Sequence, residues 1–428
     1  MHTLYLFLAL TLSVSLRAQS DSLYTQAYLE KSSRFAWLTY GGDLNYLTGG
    51  RTTWLDEDIT QDVEFSGMLT PRLTVGGIHF WGHVDFYVTL PLSFLTLQRT
   101  PPQFTELTVA QGVETGLRLY PLKLQPGRVS PFVGASFRRI RFAQESPASY
   151  SSDNGVPSYG RFIYPIQFGA TYTTKQWHFM ASGYYNYQNE FNYYLSPNFI
   201  GDVRLHPVSF NLGVLRYLDL DRHLRTPRAA ARVNRAYARL DEGRALDAWF
   251  VGLGPSSALQ LEKSPYLRTQ FPFFYDNYSV AILPDLSLGR YFHRPDMSVH
   301  LSYRTYGDRY TGFDAEIDIR RHSVGIESVK YLFNYLGFVP FAGLIVSHEN
   351  VRATINGTAY KDDRLALGLT FGWDIRVTKT ETSLLRTNLR YYPNLSLNIE
   401  GERHPFNHLE FNFIQYVYFF GRGKVLRG

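Results

Sequence analysis

The chain has 428 residues, with 43 Lys and Arg against 37 Asp and Glu for a formal charge of +6; 16% is aromatic, including 32 Tyr and 31 Phe, and only 19% is charged. That balance suits tyrosine-rich strands and excludes a coiled coil, a disordered tail protein and a helical repeat held by Lys/Glu pairs. Cysteine is absent, which excludes disulfides, thiolate zinc sites, a cysteine nucleophile and an acylated lipoprotein cysteine, and so modest a charge gives no reason to expect a nucleic-acid partner.

Leu4 to Leu16 is an almost unbroken apolar run followed by Arg17-Ala18-Gln19-Ser20. About 13 apolar residues fall short of the roughly 20 a spanning helix needs, so residues 1–18 read as a secretory signal peptide and 19–33 as an N-terminal extension. No other stretch joins about 18 apolar residues without a charge, so any membrane-embedded form has to be built of strands.

Residues 34–220 read as the first set of eight strands. Val84, Phe86, Val88, Leu90, Leu92 and Phe94 alternate with Asp85, Tyr87, Thr89, Pro91 and Ser93, a period of two held for about 11 residues. Phe162-Tyr164-Ile166-Phe168-Ala170-Tyr172 repeats the pattern. Strands of about 9–13 residues match a tilted bilayer crossing better than the shorter strands of a soluble sandwich. Tight turns at 81–83, 174–176 and 293–295 contrast with long polar connections at 48–70, 143–160, 188–205, 262–280 and 393–407, as expected of a barrel with one short-turn and one long-loop end. Within this set Glu114 projects inward, with Arg118 on the same face and Arg138 on the next strand. These read as a structural salt-bridge network filling a narrow lumen, with an ion pathway as the alternative.

Residues 221–245 read as a basic helical linker. Thr226 can cap a helix with Pro227 at its first position and Gly243 at its end. Arg225, Arg228, Arg232, Arg235 and Arg239 recur every three or four residues, beside a stripe of Ala229, Val233, Ala236 and Leu240. The arginines suit either phospholipid headgroups or an ordinary solvated face.

Residues 246–420 read as the second set, followed by a tail over 421–428. Leu365, Leu367, Leu369, Phe371, Trp373, Ile375 and Val377 alternate with Ala366, Gly368, Thr370, Gly372, Asp374 and Arg376, and Glu327 occupies the place of Glu114. Landmarks recur in unbroken order: Trp37 and Trp249, Pro71 and Pro284, Gly112-Val113-Glu114 and Gly325-Ile326-Glu327, Pro131-Phe132 and Pro340-Phe341, Phe168-Gly169 and Phe371-Gly372, Phe210-Asn211 and Phe411-Asn412. An internal duplication accounts for the series.

Gly116-Leu117-Arg118-Leu119-Tyr120 and Ser130-Pro131-Phe132-Val133-Gly134-Ala135-Ser136-Phe137 resemble the fourth and fifth strands of the small outer-membrane barrels of the OmpA/OmpW-like superfamily. The second half keeps Glu327 and Pro340-Phe341-Ala342-Gly343 of that pattern. The resemblance implies an eight-stranded antiparallel barrel per copy and an outer-membrane address, and it brings no catalytic residues. The expected fold is therefore an all-β transmembrane barrel of about 16 strands. Two eight-stranded barrels are favoured, because each half holds a complete set of landmarks, with one 16-stranded barrel as the alternative.

His79/His83 and His404/His408 are spaced four apart but fall on strands and loops, where that spacing does not bring ligands together. Nucleophile elbows, phosphate-binding loops and His-Glu-x-x-His are missing from the sequence, so no enzyme, metal or cofactor is expected. The expected role is structural or surface-binding through the external loops, against outer-membrane lipid and an envelope protein or surface glycan. A porin-like channel for small solutes is the alternative, and lumen width separates the two.

Overall fold

The computed structural model describes residues 23–33, 37–56, 59–145, 158–219, 222–260, 265–275, 281–393, 395–405 and 407–427; the leader expected over 1–18 lies outside them. Sixteen strands divide into two closed antiparallel rings of eight. The first ring contains β1 (Trp37–Leu47), β2 (Met68–His79), β3 (Val84–Pro91), β4 (Glu106–Leu119), β5 (Arg128–Glu145), β6 (Ile166–Thr173), β7 (Trp177–Tyr185) and β8 (Val208–Leu218). It closes where β1 pairs with β8, from Leu38 against Leu218 to Leu47 against Ser209. The second contains β9 (Ala248–Gln260), β10 (Ala281–Phe292), β11 (Met297–Gly312), β12 (Ala315–Tyr331), β13 (Phe338–Ile355), β14 (Thr358–Ile375), β15 (Ser383–Tyr392) and β16 (His408–Phe419), and closes between β9 and β16. Each pair of sequence landmarks lies on the equivalent strand of its ring: first, second, fourth, fifth, sixth or eighth.

Period-two alternation explains the outer surface. Asp85, Tyr87 and Thr89 are buried inside the first ring, while Leu44, Leu73, Leu90, Phe168, Phe179 and Leu212 form an exposed apolar belt. In the second ring Leu288, Leu301, Ile326, Leu344, Leu367 and Leu369 do the same. Two details of the alternation depart from the sequence reading. The third strand stops at Pro91, and Phe94 lies in a short 3-10 turn beyond it. A bulge in β4 between Gln111 and Glu114 also turns both residues inward, although they are three apart.

The long connections are more ordered than expected. Segments 48–70 and 188–205 contain the strands Gly50–Asp56, Ile59–Phe65, Glu190–Ser196 and Phe199–Leu205, which pair into a four-stranded sheet above the first ring. In the second ring, β13 and β14 reach 18 residues, and two loop-end hairpins are tight, with positive φ at Phe313, Asp314, Asn356 and Gly357.

At the opposite end lie the short turns and three helices: α1 (Gln26–Ser33), α2 (Ala229–Glu242) and α3 (Arg422–Arg427). No described helix is long and apolar enough to cross a membrane. The linker helix begins at Ala229 rather than at Pro227. Its N-cap is Arg228, without a side-chain cap, because Arg222–Arg225 forms a 3-10 turn and Thr226 contributes its carbonyl to the Ala229 amide at 2.9 Å. Gly243 ends it as expected, its amide donating to Arg239 O at 2.9 Å. Val233 and Ala229 pack with Leu29, Leu224 and Val377, so α2 and α1 meet beneath the second ring. Asn234 exchanges two hydrogen bonds with the Tyr24 backbone, the Tyr24 hydroxyl accepts from Lys379 N at 3.1 Å, and Trp81 of the first ring donates to Lys31 O at 3.2 Å. The tail folds back as α3, where buried Arg422 donates to Glu381 O and Leu246 O at 2.8 Å each.

The two rings stand side by side with their short-turn ends together. Ring contacts join them at that end, Phe80 with Phe338, Trp81 with Tyr335 and Phe86 with Trp373, and Tyr194 meets Phe273 at the loop end. Between these contacts lies an apolar cleft of about 820 Å³.

Candidate functional site

Each ring encloses a layer of ion pairs at the level of its apolar belt. In the first, Glu114 accepts from Arg72 Nη1 at 2.7 Å and from the Tyr87 hydroxyl at 2.8 Å, and Arg138 Nη1 stands 3.6 Å from its carboxylate. Arg72 also binds Asp43 through Nε at 2.5 Å, while Arg118 binds Asp85 at 2.7 Å and stacks over the Tyr87 ring at 3.7 Å. Glu114, Arg118 and Arg138 thus share one cluster. The principal partner of Glu114 is Arg72 on β2, which the sequence reading did not single out, and Arg118 is committed to Asp85. Asp43, Asp85 and Glu114 oppose Arg72, Arg118 and Arg138, all buried, so the layer is balanced.

The second ring is denser. Glu327 lies 2.9 Å from both Arg304 Nη1 and Arg390 Nε and 3.4 Å from His300 Nε2. Arg390 reaches Asp285 at 2.5 Å, Arg321 joins Glu349 and Glu410 at 2.6 Å each, and Arg386 binds Asp374 at 2.8 Å. Glu327 is therefore placed as Glu114 is, on the fourth strand and facing inward among arginines. Charges this deep persist only with partners, because desolvating either ion alone costs several kcal/mol.

Bulky apolar and aromatic side chains flank each ionic layer, joined toward the short turns of the second ring by the buried guanidinium groups of Arg376, Arg386 and Arg422. Toward the loops the first ring continues into Leu47, Phe65, Phe104, Ile140, Phe142, Phe191 and Leu205, and the second into Tyr310, Ile317, Ile319, Val351, Ile355 and Leu397. Toward the short turns, Ile78, Tyr120, Leu124, Phe132 and Met180 fill the first, and Phe250, Tyr291, Val339, Phe341 and Phe419 the second. An eight-stranded interior is just wide enough for side chains to fill, and in both rings the ion pairs and these bulky groups occupy it.

The linker arginines do not form one site. Arg225 binds Asp219 at 2.9 Å, Arg232 donates to His223 O at 3.1 Å and Arg239 to Leu426 O at 3.4 Å, while Arg228 and Arg235 are exposed. The paired histidines are held apart by separate packing. His79 lies against Phe86 and His83 Nδ1 lies 2.9 Å from Tyr120 O, while His404 stacks near Tyr266 and His408 near Tyr306. Among the described residues no three His, Cys, Asp or Glu side chains are grouped to hold a metal. At the short-turn mouth, burial pushes the Glu381 carboxyl upward, against a hydrogen bond from the Thr378 hydroxyl.

No family model matches the chain, and no curated protein matches it. Among solved structures it is similar to Neisserial surface protein A, at 16% identity and a TM-score of 0.31, over 40% of this chain and 97% of that one. It is also similar to Ail, the attachment invasion locus protein of Yersinia pestis, at 11% identity and 0.27, over 40% and 97%. An outer-membrane channel from Pseudomonas putida F1 aligns at 11% identity and 0.23, over 90% and 96%. The two closed rings follow from the strand pairing of this chain itself.

Proposed function

We propose that this chain is an integral outer-membrane protein. Its two closed barrels serve as an anchor, and its loop-end caps serve as a contact surface for an envelope protein or surface glycan. The observation that carries this reading is the filling of both rings: buried ion pairs lie between layers of bulky apolar and aromatic side chains, inside walls whose outer faces are apolar at the same level. An apolar belt outside and ionic contents inside are what a bilayer demands of strands. A solute channel needs a wet bore, which 16 strands in one ring would supply and two rings of eight do not. The ordered four-stranded sheet and the long β13 and β14 project folded surface beyond the belt, where a partner can reach it.

Planar-bilayer recording of the purified full-length protein tests the closed reading. Little conductance is expected, and large stable openings would overturn it and restore the porin-like alternative. Flotation with lipid vesicles after a high-salt wash tests membrane residence separately, and recovery in the soluble fraction would defeat that part.

A further inference from the structure

The outer face of β12, β13 and β14 carries charges in an arrangement that the fold alone does not favour. Register fixes four successive outward rows. Ile326, Val346 and Leu367 stand side by side, then Val324, His348 and Leu365, then His322, Asn350 and Asp363, and finally Arg320, Arg352 and Lys361. The first two rows include the edge of the apolar belt. The last is three cations directly opposite one another on adjacent strands, a placement that destabilises a sheet by like-charge repulsion. Nearby carboxylates offset two of them: Asp318 lies 2.9 Å from Arg320 and Asp363 lies 2.9 Å from Lys361. Arg352, in the middle, is exposed and has no carboxylate partner among the described residues. Arg320, Arg352 and Lys361 with His322, Asn350 and Ala359 line a surface hollow of about 520 Å³.

We infer that this hollow binds the phosphorylated sugar headgroup of a lipid in the leaflet on the loop side. Three adjacent strands place the outer cations roughly 10 Å apart, at about 4.8 Å per strand, enough for more than one anionic group. Height above the belt selects the headgroup. Lys361 is four residues beyond Leu365, which is about 13 Å along the strand, or about 10 Å of height at the usual tilt of such strands. The phosphate of a simple glycerophospholipid sits at the edge of its acyl chains and stops short of this row. A phosphorylated saccharide carried on acyl chains reaches it while its chains lie on Val346, Leu367 and Ile326. Guanidinium groups suit the contact, since they bind phosphate through paired charge-assisted hydrogen bonds.

The assignment rests on the membrane reading, and vesicle flotation reports on that reading independently. The test is native mass spectrometry of the full-length protein in detergent micelles, offered an acylated bis-phosphorylated glucosamine disaccharide or phosphatidylglycerol. Retention of the disaccharide lipid in preference to phosphatidylglycerol is expected. Arg352→Gln should weaken it by about tenfold, the effect of losing a charge-assisted contact, with heat-modifiable gel migration unchanged. Arg228→Gln, on the far end of the molecule, should leave retention intact. Equal retention by Arg352→Gln, or equal retention of both lipids, would overturn the proposal. Displacement by inorganic phosphate alone would reassign the hollow to a soluble anion and overturn the lipid source.

Discussion

Glu114 shows how far single residues can be read. Its inward direction follows from alternation, as do those of Arg118 and Arg138, and all three are buried together. Its main partner did not emerge, because Arg72 belongs to β2 and reaches Glu114 past β3, where Thr89 lies between Thr74 and Glu114 in the register. Such a contact crosses the interior and depends on curvature and closure, which no linear spacing encodes. A signal was nevertheless present: Asp43, Arg72 and Asp85 are charges set beside the outward Leu44, Leu73 and Phe86, the same pattern that identified Glu114. The ion pairs make a definite energetic prediction. Glu114→Gln keeps an acceptor for Tyr87 but leaves Arg72 with Asp43 as its one carboxylate and deprives Arg138 of its own. Breaking a buried pair this way costs about 3–5 kcal/mol. Equilibrium urea unfolding in micelles should show that loss, whereas unchanged stability with altered ion selectivity would return the pathway reading.

At the scale of the element, the strands change polarity along their length. On β12, Ile326 and Val324 face out where Glu327 and Ser323 face in, and further toward the loops Arg320 and Asp318 face out where Ile319 and Ile317 face in. Along β12 the period of two never breaks, but its sign reverses as the strand leaves the belt. This explains why the bilayer-crossing parts of β3 and β14 are legible in the sequence, whereas the strands within 48–70 and 188–205 read as polar connections. A charged residue in 48–70 or 188–205 looks like loop composition until its neighbours are seen to bury Val63, Phe65, Phe191 and Val203 in a dry cap. The reversal also locates the edge of the bilayer. Leu369→Arg, within the belt, should cost about 2–4 kcal/mol, and His348→Arg, at the edge of the belt, about 0–1 kcal/mol. Refolding into vesicles followed by denaturant titration measures both. Equal costs at the two positions would place the belt elsewhere.

For the whole molecule, closure is a local property of each half. The β1–β8 seam is complete within residues 37–219, and every ion pair of the first layer joins residues of that same ring. Contacts between rings are of another kind: aromatic pairs at the short-turn end, Tyr194 against Phe273 at the loop end, and the helices beneath. Such pairs contribute about 0.5–1.5 kcal/mol each beyond their buried area, which sets the orientation of two finished barrels without being needed to finish either. The dependence is not symmetrical, since Leu29 and Tyr24 come from the first half and pack under the second ring against Val233, Val377 and Lys379. Residues 37–219 expressed alone should therefore insert into vesicles and show heat-modifiable migration on a gel. Residues 222–427 alone should fold too, but less stably by about 1.5–3 kcal/mol for the exposure left where Leu29 was, and α1 supplied on the same chain should restore the difference. If neither half closes alone, the seam between β1 and β8 requires the second ring, and the two barrels form one folding unit despite their separate pairing.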